Sequence, residues 1–230
     1  MSSSKEGVEL FGIPFRIFDE KQLFQLNSEE LEKNQLYSVF CVEAGQCSYL
    51  AEAQKELNKL SRILWIPVGT AMSSVFPKKD RHMIAEFSVW KYLKLFGTYA
   101  GDTGAELGIL MDEEEQCELI LQEFRKEFPY LSLHTVQYED FSSDEAVVNE
   151  VNSVAPDILF IGLRMDEMRH FLEEDRHRTN ARLCVFVGDL LLDDMTKKKK
   201  WFHTITMSRY LKKMLHKYNK KELKSHESEV

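Results

Sequence analysis

Residues 151–192 decide the fold class, and they read VNSVAPDILFIGLRMDEMRHFLEEDRHRTNARLCVFVGDLLL. Two nearly uninterrupted apolar runs, 157–163 and 182–187, stand on either side of a charged amphipathic segment. Short continuous apolar runs are typical of strands that are buried on both faces of a parallel sheet. The stretch therefore predicts a strand, a helix and a second parallel strand joined by a right-handed crossover.

The same alternation extends toward the N-terminus. Predicted strands cover residues 8–18, 36–42, 62–68 and 106–111. Predicted helices cover 49–60 and 83–96, and two more begin at capping boxes, Asp112 with Glu115 and Ser142 with Glu145. This order predicts an α/β fold with a Rossmann-like, doubly wound, mainly parallel sheet, helices on both faces and a basic helical appendage at the C-terminus.

No linker or internal repeat divides the 230 residues, of which 43% are hydrophobic. We expect one α/β domain over 1–196 and an appendage over 197–230. The first residues lack the features of a signal peptide, and the apolar runs are too short to span a bilayer. Four cysteines without metal-ligand spacing predict reduced, buried thiols. These observations predict a cytoplasmic protein.

The charge is unevenly distributed. The net charge is −8, yet residues 197–224 carry eleven Lys or Arg and a single Glu. An acidic body disfavours binding to nucleic acid. The basic segment has apolar residues at helical spacing, which supports two interpretations: a helix lying on an anionic membrane surface, or a helix that packs on the domain and exposes its lysines.

Polar residues and glycines follow several predicted strands. In parallel sheets ligands bind outside the carboxyl ends of the strands, where glycine lets backbone N–H groups approach an anion. The segments at these positions are 43–45, 68–70, 162–164 and 188–189. The alternative is a plain turn at each glycine.

One charged segment has the spacing of metal ligands on a helix. Asp166, His170 and Glu174 are four residues apart, and His177 follows. Nothing else in the sequence completes a coordination shell, so a solvated charged face is the favoured interpretation. We expect neither a metal nor another cofactor.

The order of these segments resembles the WecG/TagA/CpsF family of bacterial glycosyltransferases. PDILFIGL, from Pro156, is similar to the family's PDILLVGLG, and the strand ending in Gly188 is similar to its VGG strand. Phe11–Pro14 and Ile66–Gly69 resemble the family's Gly-Val-Pro and Leu-Pro-Asp-Gly segments. The similarity covers most of the chain in order.

The resemblance implies inverting transfer of an N-acetylhexosamine-like sugar from a UDP-sugar to a polyprenyl-diphosphate-linked acceptor. This reaction takes place at the inner face of the membrane. It further implies a donor site formed by Gly69, Thr70, Gly162, Arg164, Gly188 and Asp189. The basic appendage then contacts the acceptor and the anionic membrane, through Lys197, Lys198, Lys199, Lys200, Trp201, Arg209, Lys212 and Lys213.

The chain departs from the family pattern at positions that carry the chemistry. Val68 stands where the family has its candidate catalytic aspartate, so Glu43 or Asp102 is the expected substitute base. Asp112 and Glu113 replace a Gly-Gly pair at the donor site. Two hypotheses follow: a divergent glycosyltransferase of cell-surface polysaccharide biosynthesis, or an inactive homologue that serves as an interaction or scaffolding subunit of a glycosylation complex.

Overall fold

The computed structural model describes residues 7–196 and 201–228. Its strands are β1 Val8–Leu10, β2 Ile13–Phe15, β3 Tyr37–Val42, β4 Ile63–Pro67, β5 Leu107–Met111, β6 Leu133–Gln137, β7 Ile158–Gly162 and β8 Leu183–Phe186. Its α-helices are α1 Glu20–Leu31, α2 Cys47–Leu57, α3 Thr70–Ser73, α4 Arg81–Glu86, α5 Val89–Thr103, α6 Glu114–Glu127, α7 Asp144–Val154, α8 Met165–His170, α9 Leu190–Thr196 and α10 Trp201–Ser228.

The eight strands form a mostly parallel sheet in the order β1-β2-β4-β3-β8-β7-β5-β6. The pair β1 and β2 is antiparallel, whereas β2–β4, β3–β8, β8–β7, β7–β5 and β5–β6 are parallel. The predicted Rossmann-like α/β fold and its C-terminal helix are therefore confirmed. The predicted boundary at residue 197 falls among residues 197–200, outside the described part of the chain.

The chain divides into two compact units. Unit 1 comprises Met1–Asp19, Cys41–Phe87 and Lys199–Val230, and unit 2 comprises Glu20–Phe40 and Ser88–Lys198. Strand β3 contributes to both units, because the division falls after Phe40. Each unit is described below by itself.

Aromatic side chains fill the core of unit 2. Phe40 stacks on Phe186 with ring centroids 5.5 Å apart. Phe96 makes an edge contact with Phe160 at 5.9 Å, and Tyr92 contacts the same ring at 6.0 Å. All five residues of β5 and of β7 are buried, as the apolar runs predicted. This packing fixes the positions at which the strands end.

The structure corrects the single strand predicted over residues 8–18. It forms a hairpin, β1 and β2, whose two turn residues Phe11 and Gly12 have φ values of 54° and 70°. Two successive positive φ angles are typical of the type I′ turn that joins two-residue hairpins. Phe11 tolerates this conformation with its ring buried edge-on against Tyr218, centroids 5.4 Å apart.

The helix predicted over 83–96 is two helices, α4 and α5. They are separated at Phe87 and Ser88, and Ser88 Oγ accepts a hydrogen bond from the Lys91 N–H at 3.2 Å. A serine in extended backbone is a favoured N-cap, so the chain restarts a helix here. The Ser88 N–H is itself satisfied by Glu20 Oε1 at 2.8 Å.

Both predicted capping boxes are wrong in detail. The second helix is capped one residue later, at Ser143, whose hydroxyl accepts from the Ala146 N–H. The first helix, α6, has Glu113 at its N-cap, without a side-chain hydrogen bond. Asp112 is buried at the end of β5 instead. The predicted buried thiols are confirmed at all four cysteines, and burial raises the pKa of Cys47 to about 12.

Candidate functional site

The carboxyl ends of four strands of unit 2 lie level with one another. In the parallel register Met111 of β5 pairs with Gly162 of β7, and Ile161 pairs with Phe186 of β8. Met111 also pairs with Gln137 of β6. The residues that follow these strands are therefore brought to one edge of the sheet: Asp112, Glu139, Arg164 and Asp189.

Asp112 is the buried acid of this edge, with 2% of its surface exposed. Its Oδ2 atom accepts a hydrogen bond from the backbone N–H of Arg164 at 2.8 Å. Its Oδ1 atom has no hydrogen-bond partner among the described residues. The pKa of Asp112 is raised from 3.8 to about 6, and burial is the main cause. The hydrogen bond and the charge of Arg164 act to lower this pKa, whereas the charges of Glu167 and Asp189 act to raise it. This carboxyl group can change its protonation state near neutral pH.

Arg164 is surrounded by carboxylates. Its guanidinium nitrogens lie 3.1 Å from Glu167 Oε1, 3.5 Å from Glu139 Oε1 and 3.9 Å from Asp112 Oδ2. Glu167 is the main cause of the raised pKa of Arg164. More than half of the arginine side chain is exposed. Arg164 is thus accessible, but its charge is already compensated by three acids.

Packing requires a glycine at position 162 of this edge, and backbone conformation favours one at position 188. A Cβ on Gly162 would lie 2.4 Å from Met111 Sδ and 3.1 Å from the Gly188 carbonyl oxygen. Gly188 has a φ of 52°, which favours glycine. Asp189, the exposed residue that follows, contributes to the negative potential felt by Asp112. The predicted donor residues Gly162, Arg164, Gly188 and Asp189 are brought together in unit 2.

In unit 1, Glu43 follows the carboxyl end of β3. It forms a capping box with Gln46: the Glu43 N–H donates to Gln46 Oε1 at 2.8 Å, and the Glu43 carboxylate accepts from the Gln46 N–H. Glu43 Oε1 lies 3.9 Å from the position that a Cβ on Gly69 would take. Gly69 has a φ of 90° and follows the buried Val68. The predicted residues Glu43, Gly69 and Thr70 are therefore close neighbours.

Asp102 lies elsewhere. It is exposed in the last turn of α5, two residues before Gly104, which ends the helix with a φ of 75°. The chain then enters the amino end of β5. Asp102 thus lies at the edge of unit 2 opposite to Asp112, and the structure does not bring it to the other candidates of that unit.

The basic helix α10 packs against the rest of unit 1 through one stripe of side chains along the helix. Leu211 is fully buried, and Tyr218 donates from its hydroxyl to Gln54 Oε1 at 2.7 Å. The helix also contacts α2, α3 and the turn Ala44–Gln46, where Met207 faces Gly45. Ile205 and Tyr210 remain exposed, as do the predicted membrane residues Arg209, Lys212 and Lys213. Lys197–Lys200 lie outside the described residues, and of Trp201 only the backbone is described.

The predicted face of Asp166, His170 and Glu174 does not lie on one regular α-helix. Helix α8 ends at His170, and Phe171–Asp175 forms a π-helical turn. His170 instead lies 3.1 Å from Asp144 Oδ2 and 3.6 Å from Asp175 Oδ2. Within the described residues this is the single group of three side chains with metal-ligand spacing. Arg178 donates to Asp175 and Tyr138 to Asp144, which identifies a hydrogen-bonded ion-pair network.

Sequence reasoning placed Asp112 at the donor site only as the replacement of a family glycine, and it did not predict Glu139 or Glu167 beside Arg164. Asp112 was interpreted as a helix cap, because aspartate before a helix is common there. The signal that identifies it is its position directly after a strand whose five residues are all apolar or glycine, since such a strand end opens at the ligand edge of the sheet.

The mostly parallel sheet, with its polar residues gathered at strand ends, defines an α/β protein of the kind that binds ligands beyond those ends. The chain matches the family model of the glycosyl transferase WecG/TagA/CpsF family over residues 8–211, and it belongs to that family. The family acts in cell-surface polysaccharide biosynthesis and implies a nucleotide-sugar donor and a lipid-linked acceptor. A search of curated proteins found no match. Among the described residues, no helix combines the length and apolarity needed to cross a bilayer.

Proposed function

We propose that this chain transfers an N-acetylhexosamine-like sugar from a UDP-sugar to a polyprenyl-diphosphate-linked acceptor, with Glu43 as the general base. The observation that carries the proposal is the position of the Glu43 carboxylate, 3.9 Å from a Cβ position on Gly69. Gly69 directly follows Val68, which occupies the place of the family's candidate aspartate. A carboxylate that follows the neighbouring strand thus lies beside Gly69, the residue next to the position where the family has its own acid.

Glu43 has the chemistry that the reaction needs. In an inverting displacement a base takes the proton of the acceptor hydroxyl while that oxygen attacks the anomeric carbon and the nucleoside diphosphate leaves. Such a base contributes roughly 100-fold to 10,000-fold to the rate. The capping box with Gln46 holds the Glu43 side chain in place, and a carboxylate has enough acceptor capacity to receive a second hydrogen bond.

The remaining residues receive roles that follow from where they lie. Gly69 and Thr70 would place their backbone beside the donor next to Glu43, and the φ of 90° at Gly69 favours glycine there. In unit 2, Arg164 is the exposed cation of the strand ends and the group best suited to a phosphate oxygen. Gly188 and Asp189 complete that edge, and Gly162 allows its close packing.

The exposed face of α10 is suited to an anionic membrane surface. Arg209, Lys212 and Lys213 are exposed there together with Tyr210, which is 48% exposed. Basic residues interleaved with an exposed aromatic are typical of helices that lie among lipid headgroups. Because the acceptor is lipid-linked, this face would hold the enzyme where its substrate is found.

The test is a transfer assay with purified protein, a panel of UDP-sugars and a polyprenyl-diphosphate acceptor in anionic vesicles. We expect release of UDP with at least one donor, and a loss of 100-fold or more in kcat for Glu43→Gln, which keeps the capping geometry. Glu52→Gln, at an exposed position of α2, is the matched control and should behave as the wild type. Equal rates for the two variants would remove Glu43 from the mechanism.

A second candidate is an inactive homologue that acts as an interaction or scaffolding subunit of a membrane-associated glycosylation complex. One observation favours it: the guanidinium of Arg164 already contacts three carboxylates, so a diphosphate meets an acidic edge. This candidate predicts no heat with any UDP-sugar in calorimetry, while binding to anionic vesicles through α10 is retained. Heat with a single donor, followed by UDP release, excludes it.

A further inference from the structure

Three side chains of unit 2 bring one metal-ligand atom each into a small volume. The Nε2 atom of His170 lies 3.1 Å from Asp144 Oδ2 and 3.6 Å from Asp175 Oδ2. All three atoms lie within 4.8 Å of one another. Ligand atoms that are about 2.0–2.1 Å from a tetrahedral Zn²⁺ ion are about 3.3 Å from one another. The spacing of the three atoms is therefore close to that of a metal site.

The backbone brings these residues together from separate parts of the chain. Asp144 is the first residue of α7, which follows β6, and His170 is the last residue of α8, which follows β7. The π-helical turn Phe171–Asp175 comes directly after His170. Residues one turn of a π-helix apart are five positions apart in sequence, so Asp175 returns to the side of His170. Turns of this kind are frequent at functional sites.

The other oxygen of each acid is already bound. Tyr138 donates its hydroxyl to Asp144 Oδ1, and Arg178 Nη1 donates to Asp175 Oδ1 at 2.8 Å. In both acids it is Oδ2 that lies near the imidazole of His170. Carboxylates that bind metal ions are usually oriented by hydrogen bonds to their other atoms. The two acids are thus held in place for an ion between them and the imidazole.

A metal ion suits this group better than a proton on His170. A single N–H on Nε2 can be directed at only one of the two Oδ2 atoms. Asp175 is 2% exposed, and a buried carboxylate is normally paired or coordinates a metal. Burial and the Asp144 carboxylate raise the pKa of Tyr138. The charges of Glu167 and Asp175 raise it further, which indicates that negative charge accumulates around this group.

We infer that Asp144, His170 and Asp175 bind a divalent transition-metal ion, for which Zn²⁺ is the best fit. An imidazole nitrogen together with carboxylate oxygens suits Zn²⁺, whereas Mg²⁺ and Ca²⁺ prefer oxygen ligands alone. The side chains of His170 and Asp144 are 50% and 39% exposed, so an ion can enter from solvent. Three protein ligands leave at least one coordination position for water.

A bound ion cross-links two parts of unit 2. It joins the start of α7 to the end of α8 and to the π-helical turn beyond it. Helix α8 contains Glu167, whose carboxylate lies 3.1 Å from the guanidinium of Arg164. The ion therefore holds α8 in place beside Arg164. This site requires no transferase activity and stands apart from the proposed function.

Calorimetric titration of the untagged, metal-free full chain with ZnCl₂ and with MgCl₂ tests the site. We expect the wild type to bind Zn²⁺ at least tenfold more tightly than Mg²⁺. His170→Gln and Asp144→Asn should each weaken Zn²⁺ binding at least tenfold, and Tyr138→Phe should weaken it roughly tenfold because it removes the hydrogen bond to Asp144. His134→Gln is the matched control, since it replaces another partly exposed histidine that pairs with an acid, Glu106.

The melting temperature gives a second readout. Zn²⁺ should raise the melting temperature of the wild type and of His134→Gln, but not that of His170→Gln. A cooperative transition without metal shows that each variant is folded. Absence of Zn²⁺ binding by the wild type, or binding that is unchanged in both His170→Gln and Asp144→Asn, overturns the site. Neither readout uses a sugar donor, so a failed metal titration leaves the transferase proposal standing, and a failed transfer assay leaves the metal site standing.

Discussion

The backbone N–H of Arg164 donates to Oδ2 of Asp112 at 2.8 Å, while the other oxygen of that carboxylate is buried without a hydrogen-bond partner in the described residues. The residue after β5 thus binds the backbone of the second residue after β7, and only one of its two carboxylate oxygens has a hydrogen-bond partner in the described residues. Such an arrangement is unfavourable for stability whenever the acid is ionised. It also places the acid where a ligand is expected.

This relationship predicts a pH-dependent stability. The folded-state pKa of Asp112 is raised from 3.8 to about 6, so the folded state binds more protons than the unfolded state between these values. The contribution of Asp112 to the free energy of unfolding is therefore most favourable below about pH 4 and falls as the pH rises through 6. At pH 7, Asp112→Asn should be more stable than the wild type by about 1–3 kcal/mol.

Urea unfolding of both proteins at a series of pH values between 4 and 8 measures this effect. The stability difference should shrink toward acid pH, where the wild-type carboxyl is protonated. Asp102→Asn, at an exposed position of α5, is the matched control for the same substitution at the protein surface. A difference between wild type and Asp112→Asn that does not vary with pH would contradict the burial argument.

Arg176 should stabilise unit 2 through Ser38. Arg176 is 1% exposed, and burial lowers its pKa; its Nη1 donates to Ser38 Oγ at 2.8 Å. Removing the hydroxyl takes a hydrogen bond from a buried charged group, which costs about 1.5–3 kcal/mol. Ser38→Ala should lower the free energy of unfolding by this amount. Ser153→Ala, which removes an exposed hydroxyl of α7, should change it by less than about 0.5 kcal/mol.

Alanine should have opposite effects at two glycines of unit 2. At Gly162 the added methyl group would lie 2.4 Å from Met111 Sδ, so Gly162→Ala should destabilise by about 1–3 kcal/mol. At Gly101 the nearest atoms are 3.8 Å away, on Leu131, and the residue is in α5. Gly101→Ala should stabilise by up to about 1 kcal/mol, because alanine favours the helix. Chemical denaturation of the two variants measures both changes, and equal signs would contradict the packing at Gly162.

The two tyrosines of α10 should separate helix packing from membrane binding. Tyr218 is anchored on Gln54 and Phe11, whereas Tyr210 is exposed. Tyr218→Ala should lower the melting temperature, because it removes a packed ring and a hydrogen bond. Tyr210→Ala should leave the melting temperature unchanged and weaken sedimentation with anionic vesicles. Unchanged vesicle binding in Tyr210→Ala would remove the exposed face of α10 from the membrane proposal.

Much of the fold followed from hydrophobic pattern, because strands buried on both faces are continuous apolar runs in any sequence. The runs that form β5, β7 and β8 were predicted with small errors at their ends. The hairpin at Phe11 was not predicted, because a phenylalanine with a positive φ is rare. Its ring packs against Tyr218, which is distant in sequence. Tertiary contacts of this kind leave no local signal.

The position of several candidate residues at strand ends could be predicted for a similar reason. Glu43, Arg164 and Asp189 follow strands and were identified by the strand-end rule, which depends on topology alone. The role of Asp112 depends on its burial and on the backbone of Arg164, 52 residues away in sequence. The π-helical turn at Phe171–Asp175 replaced a predicted helical face by contacts with Asp144, and no spacing rule anticipates it.

The pairing of β3 with β8 has a consequence for biosynthesis. Tyr37 pairs with Leu183 and Phe40 with Phe186, so an early strand receives its neighbour on one side only after most of the polypeptide has been translated. Contacts between such distant parts of a chain close late and slow the folding reaction. On the ribosome, one backbone edge of β3 therefore stays unpaired until β8 has been translated, and the unpaired edge of an apolar strand is prone to aggregation.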